Sequence, residues 1–175
     1  FVLRLKNQGS QIDYSGFIGG AEDDQANSLA VDGLGRAYVT GFSSCTGGGN
    51  CSFPTVVGPN LTRAASADAS RPSMDGFIAR VKADGSSLDY AGFIGGDGYF
   101  DVGHAIAVDA SGSAYVAGAT DSVTGLPAAP GFRSIPSGDA SDGFVARISA
   151  SGAAVDRFTL LTGTLSGNQS GADRA

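Results

Sequence analysis

Tryptophan is missing from the 175 residues, histidine and methionine occur once each, and only 16% of positions carry a charge. Globular domains usually carry charge at about a quarter of positions. No apolar run approaches the ~20 residues that a membrane-spanning helix needs, so no membrane span is expected. Seventeen acidic against eleven basic residues give a formal charge of −6. DNA and RNA binding calls for a basic stripe, and none is visible, which argues against a nucleic-acid partner. Sustained apolar spacing at i, i+3, i+4 and i+7 is also lacking, because glycine interrupts most candidate runs. Helices are therefore not expected. A structural zinc site needs four Cys or His ligands, and here Cys45, Cys51 and His104 are all there are.

Glycine, in contrast, is plentiful at 28 residues, about twice its usual share. Short strands joined by tight turns use it, because glycine accepts the positive φ angles that other residues resist. The length suits one domain with a sizeable core and is too short for two ordinary ones. Five small or polar residues separate Cys45 from Cys51. That spacing suits a tight disulfide loop, which implies an oxidising compartment and adds little to global stability.

One block recurs almost word for word. Asp75-Gly-Phe-Ile-Ala-Arg-Val-Lys leads through Asp84-Gly85 to Ala91-Gly-Phe-Ile-Gly-Gly96. Its counterparts run from Phe1-Val-Leu-Arg-Leu-Lys to Ser15-Gly-Phe-Ile-Gly-Gly20, and, more eroded, from Asp142-Gly-Phe-Val-Ala-Arg-Ile to Leu160-Leu-Thr-Gly163. Between them lies a second block, Leu29-Ala-Val-Asp-Gly-Leu-Gly-Arg-Ala-Tyr-Val-Thr-Gly41, which returns as Ile106-Ala-Val-Asp-Ala-Ser-Gly-Ser-Ala-Tyr-Val-Ala-Gly118. Phe1 and Phe77 are 76 positions apart, Phe77 and Phe144 only 67, and nearly all of the difference falls between Gly41 and Asp75. A constant core with variable connections is how a stacked repeat behaves.

Each block reads as a β-hairpin around an Asp/Gly or Ser/Gly turn, with Asp32 and Asp109 capping turns and Gly35 and Gly112 at positive φ. Named in order, strand a is expected at 27–32 and 104–109, and b at 36–43 and 113–120. Strand c is expected at 1–6, 75–82 and 142–149, and d at 11–18, 87–94 and 154–161. Four antiparallel strands repeated as a unit make an all-β fold, a β-propeller of four-stranded blades; sandwich strands do not repeat in groups of four. About two and a half blades are present, an incomplete ring: a half-blade at 1–18, full blades at 27–94 and 104–161, and a linker toward a further blade at 162–175. Since known propellers need at least about four blades, the expected partners are the remaining blades of a longer chain or neighbouring subunits. Any signal peptide would lie upstream of Phe1.

Taken together, Asp-Gly-Phe-(Ile/Val)-Ala-Arg, Gly-Phe-Ile-Gly-Gly and Ala-Val-Asp-x-x-Gly-x-Ala-Tyr-Val-x-Gly resemble the SBBP-type β-propeller repeat of bacterial and archaeal surface proteins. The Ala-Val-Asp…Ala-Tyr-Val hairpin alone is also similar to the NHL repeat. The resemblance implies a propeller exported to the cell surface or beyond, usually without assigned chemistry. Gly163–Ala175 departs from the pattern, replacing a clean Gly-Gly turn.

Among candidate site residues, Asp23, Asp24, Asp97 and Asp101 lie in the acidic d-to-a connections 19–25 and 95–101. Calcium takes several carboxylate and carbonyl oxygens in a glycine-permitted loop, so these four are candidate Ca²⁺ ligands. Turn capping explains the same residues, and is the stronger reading. His104, near the start of an innermost a strand, could titrate or ligate a metal, but a lone histidine is more often packed or solvated. Arg4, Arg80 and Arg147 recur at one position of strand c, which argues for a role in building each blade. Phe17 and Phe93, and likewise Phe77 and Phe144, are expected to fill the space between blades. No catalytic constellation emerges and no Gly-x-Ser-x-Gly appears. Connections b–c, 44–74 and 121–141, vary most and are candidates for binding and for covering blade edges, through Phe53, Val56 and Leu61 in the first and Leu126, Phe132 and Ile135 in the second. Asn50-Cys-Ser52, Asn60-Leu-Thr62 and Asn168-Gln-Ser170 fit the N-glycosylation pattern.

Three functional readings follow. The foremost is a non-catalytic extracellular or cell-surface module, periplasmic at the innermost, that binds a surface protein or glycan or builds an extracellular layer. The alternative is the propeller portion of a carbohydrate-active enzyme whose catalytic residues lie outside these blades. A third is a structural repeat in a fibre or sheath.

Overall fold

The computed structural model describes residues 1–46, 49–64, 72–131 and 141–162. They form ten strands and no helix: β1 (Val2–Lys6), β2 (Gln11–Gly16), β3 (Asp24–Val31), β4 (Ala37–Cys45), β5 (Ser73–Val81), β6 (Leu88–Ile94), β7 (Asp101–Val108), β8 (Ala114–Thr120), β9 (Asp142–Ile148) and β10 (Val155–Leu161). One two-stranded sheet, β1-β2, precedes two four-stranded sheets, β3-β4-β5-β6 and β7-β8-β9-β10, all antiparallel. This is the order c-d, a-b-c-d, a-b-c-d, and no sheet closes on itself: the fold is all-β, made of partial propeller blades. The linker expected at 162–175 lies, apart from Thr162, outside the described residues.

Turn chemistry sets the hairpins. Gly35, Gly85, Gly112 and Gly152 all have positive φ, and each closes a short turn, as when the Gly152 amide donates to the Ser149 carbonyl at 2.8 Å. Asp32 Oδ1 accepts the Leu34 and Arg36 amides, and Asp109 Oδ1 those of Ser111 and Ser113. Registers repeat as well, with Tyr38 opposite Arg80 in one blade and Tyr115 opposite Arg147 in the next.

Apolar residues fill the spaces between blades. Val2, with Tyr14 and Ile18 beside it, packs on Ala37, Val39, Phe77, Ala79 and Phe93. Tyr38, Ile78, Tyr90 and Ile94 in turn pack on Val116, Phe144, Ile148 and Leu160. The glycines of the second and third c–d turns seat on a tyrosine of the preceding d strand: a Cβ at Gly85 would enter the Tyr14 ring, and one at Gly152 the Tyr90 ring. Charge crosses the same interface. Arg4 Nη1 donates to the Ala83 carbonyl at 2.6 Å, and Arg80 Nη1 to the Ala150 carbonyl at 2.7 Å. Within its own blade each arginine pairs with a d-strand aspartate: Arg4 with Asp13, Arg80 with Asp89, Arg147 with Asp156. Arg4 and Arg80 are thus blade-to-blade clamps.

Two expectations need correction. Strand a starts three residues early, at Asp24 and Asp101, because a bulge after Ala26 and after Gly103 lets pairing continue past the register shift. Those aspartates therefore sit on strands rather than in the connections. Phe17 does not fill an inter-blade space but is 92% exposed. Side chains alternate along a strand, and since Tyr14 and Ile18 face the neighbouring blade, Phe17 projects from the opposite face.

Candidate functional site

In an a-b-c-d blade the a–b and c–d turns lie at one end and the d–a and b–c connections at the other. The turn end is consumed by the contacts just described. The connection end carries the acidic residues and the variable loops, and hydrogen bonds knit these together. Glu22 accepts the Thr46 amide at 3.1 Å and the Thr46 hydroxyl at 3.0 Å. Asp97 accepts the amides of Val123 and Thr124 and the Thr124 hydroxyl, the last at 2.7 Å. Those donors hold the Asp97 carboxyl below its ordinary range, against the opposing effect of burial, which is the larger single cause.

The four candidate calcium ligands are placed as follows. Asp24 Oδ2 accepts the Gly20 amide at 2.5 Å, and Asp101 Oδ2 the equivalent Gly96 amide at 3.0 Å. Asp101 also accepts from the Ser122 hydroxyl, and its side chain is fully buried. Burial pushes its carboxyl up to about 7, opposed by hydrogen bonds from Thr120, Gly96 and Ser122 and reinforced by the Asp75 charge. Asp23 contributes its backbone carbonyl, which accepts the Ser44 amide. The structure thus turns Asp24 and Asp101 onto backbone amides of their own connections, and Asp97 onto those of the neighbouring b–c loop. It does not gather the four: among the described residues, the set of three Cys, His or acidic side chains whose ligand atoms lie within 4.8 Å of one another is Glu22, Cys45 and Cys51. Two of these are joined in the Cys45–Cys51 disulfide, with Cα atoms 5.7 Å apart.

His104 is half-buried on β7 at the bulge. Asn27, its counterpart on β3, reaches across to the Gly103 carbonyl at 2.9 Å. Of the glycosylation triplets, Asn50 is structurally committed, donating to the Leu61 carbonyl and accepting the Arg63 amide. Asn60 is exposed, and Asn168 lies outside the described residues.

The b–c connections cover blade edges. Val56 and Val57 pair with Ala91 of β6, and Asn60 with Phe93, while Pro130 accepts the Phe158 amide of β10. Edge strands with open amides invite pairing with other chains, and these loops occupy them. Phe53 packs between Phe77 and Phe93, at ring-centroid distances of 5.1 and 5.2 Å. Phe132 and Ile135 fall outside the described residues. Side chains of Val56, Val57, Leu61 and Val123 stay substantially exposed.

Sequence reasoning missed Arg63. It is buried in the first b–c connection, where Nη2 bonds the Ser73 carbonyl and hydroxyl and Asp75 Oδ1 at 2.8 Å. Burial raises the Asp75 carboxyl above its ordinary range, and the Arg63 charge and hydrogen bond offset part of that rise. The available signal was one of two arginines, with Arg71, in a loop of mostly small residues that leads into the Asp of an Asp-Gly-Phe motif.

Among known proteins, residues 13–44, from within β2 through β3 to near the end of β4, match the SBBP beta-propeller repeat. This agrees with the resemblance carried by the motifs. No curated protein matches the chain. No helix among the described residues is long and apolar enough to cross a membrane.

Proposed function

We propose that this partial SBBP-repeat propeller is a non-catalytic extracellular module that presents the connection end of its blades to a surface protein or glycan. The observation that carries this reading is the asymmetry between the two ends. Turns at one end are spent on neighbouring blades through Arg4, Arg80, Gly85 and Gly152. At the other, Glu22 and Asp97 tie each acidic connection to its b–c loop, making one continuous surface. That surface combines exposed Leu61 and Val123 with carboxylates, on a rigid scaffold that leaves loops free to vary. The disulfide supports a location outside reducing compartments.

Glycan-array and surface-protein binding, measured with paired variants, tests this. Leu61→Asp and Val123→Asp at the connection end should each abolish binding, while Asp84→Ala at the turn end leaves it intact. Equal losses at both ends, or no binding to any glycan or surface protein, would contradict the reading.

A further inference from the structure

We infer that the connection end of the blade β3-β4-β5-β6 holds a small monovalent cation, of the size of sodium, between Asp24, Ser43 and Asp75. Asp24 of β3 stands opposite Ser43 of β4, and Ser43 opposite Asp75 of β5. Directly opposed residues of a sheet share a face, with Cβ atoms about 4.5–5.5 Å apart. The three oxygen-bearing side chains therefore form one row, with Ser43 in the middle. Ser43 and Asp75 are each 1% exposed. Asp24 Oδ1, Ser43 Oγ and Asp75 Oδ2 are cut off from solvent, and none has a hydrogen-bond partner among the described residues. The other carboxylate oxygens are taken, Asp24 Oδ2 by the Gly20 amide and Asp75 Oδ1 by Arg63 Nη2. Buried polar atoms are nearly always paired, so three orphans in one row mark the place of a guest.

The next blade shows what this row lacks. Its own row is Asp101, Thr120 and Asp142, and Asp101 accepts the Gly96 amide as Asp24 accepts that of Gly20. There the remaining needs of Asp101 are met by side chains, the hydroxyls of Thr120 and Ser122. Ser122 lies two residues beyond Thr120, and the residue two beyond Ser43 is Cys45. Its sulfur is bonded to Cys51 and has no proton to donate, so Asp24 Oδ1 lacks the partner that Asp101 has. Charge selects the guest. Two carboxylates against the one Arg63 guanidinium leave a single negative charge in the group. A monovalent cation cancels it, whereas a bridging water does not. Ca²⁺ would bury a net positive charge, which is costly, and it takes about 6–8 oxygens where this row offers three. Arg63 Nε, which also has no partner among the described residues, is a donor and ligates no cation. Asp24 is half-buried, so the ion and the water that completes its shell enter beside it.

Unfolding of the full chain in sodium chloride and in choline chloride at equal ionic strength tests this, because choline is too large for the row. The urea midpoint should be higher in sodium and should rise with sodium concentration. Sodium-23 relaxation should show a saturable site. Ser43→Ala should weaken that binding by about tenfold or more, since even an outer-shell partner is worth that much to a bound metal. It should also lower the midpoint in sodium while leaving it unchanged or higher in choline. Ser122→Ala in the next blade should lower the midpoint equally in both salts. Should Ser43→Ala fail to fold, Asp24→Asn takes its place, and should likewise lose the difference between the salts. Equal midpoints in the two salts, with no saturable relaxation, would overturn the inference and leave the row to water. Stabilisation by calcium but not by sodium, or a sodium effect that survives both Ser43→Ala and Asp24→Asn, would overturn it as well.

Discussion

Arg4, Arg80 and Arg147 occupy one position of the repeat, so the same substitution at all three separates what a blade does for itself from what it does for its neighbour. Arg80 is the fully engaged case: Nε bonds Asp89 at 2.9 Å, Nη1 bonds the Ala150 carbonyl at 2.7 Å, and the guanidinium lies 4.7 Å from the Tyr90 ring centroid. Its side chain is 9% exposed and Asp89's is 21%. A hydrogen bond to a charged group is worth about 1.5–3 kcal/mol, and a desolvated cation–π contact up to about 2. Since leucine restores part of the apolar packing, Arg80→Leu should cost about 3 kcal/mol. Arg4 makes the equivalent bond to Ala83, but with its side chain 44% exposed the pair is screened; Arg4→Leu should cost about 1 kcal/mol. Among the described residues Arg147 bonds Asp156, Ser113 and Tyr115, all of its own blade, and it is 34% exposed. Arg147→Leu should have the smallest effect of the three. Urea unfolding followed by far-ultraviolet circular dichroism, with midpoints compared at constant m, gives the ranking. Equal costs at all three positions, or a cost at Arg147 matching that at Arg80, would refute the clamp and with it the blade-to-blade reading.

Arg63→Met should destabilise by about 3–5 kcal/mol at neutral pH, because the buried Asp75 carboxylate loses its partner. That cost should shrink as pH falls, since burial already raises the Asp75 carboxyl and protonation removes the unpaired charge; unfolding midpoints across pH check both points. Asp101 carries the same sign. With its carboxyl pushed up to about 7, the folded protein holds that proton more tightly than the unfolded chain, so its stabilising contribution is full below the ordinary carboxylate range and is lost as pH rises through about 7. Denaturant midpoints should accordingly fall between mildly acidic and neutral pH, and Asp101→Asn should flatten that slope. Gly152→Ala should cost more than Gly49→Ala: both have positive φ, but a Cβ at Gly152 meets the Tyr90 ring whereas one at Gly49 meets open space. Melting temperatures of the two variants give the comparison.

Recurrence made the fold legible. Asp-Gly-Phe, Gly-Phe-Ile-Gly-Gly and Ala-Tyr-Val each return at matched places, and a strand forms at every place expected, the two a strands starting three residues early. What recurrence cannot convey is which face a residue takes at the end of an array. Phe17 and Phe93 read alike, yet one is exposed and the other buried, because burial depends on the neighbouring blade and not on the motif. The bulges after Ala26 and Gly103 were invisible for a related reason. A bulge adds one residue without changing composition, so Asp24 and Asp101 looked like loop acids and are strand residues. At the connection end, acidity was readable from sequence but its use was not. Asp97 bonds Val123 and Thr124, and Glu22 bonds Thr46, across sequence separations of 24 to 27 that no local pattern encodes. The burial of Arg63 depends on where a variable loop folds, which no local pattern encodes.

The central claim is that equivalent residues make equivalent contacts across successive blades. Nuclear Overhauser spectroscopy on the labelled chain tests it directly, through the tyrosines on which the Gly85 and Gly152 turns are seated. Cross-peaks are predicted between the Gly85 α-protons and the Tyr14 ring, and between the Gly152 α-protons and the Tyr90 ring. If either pair is absent, or if Gly152 contacts a ring of its own blade instead, the stacked-blade account is contradicted.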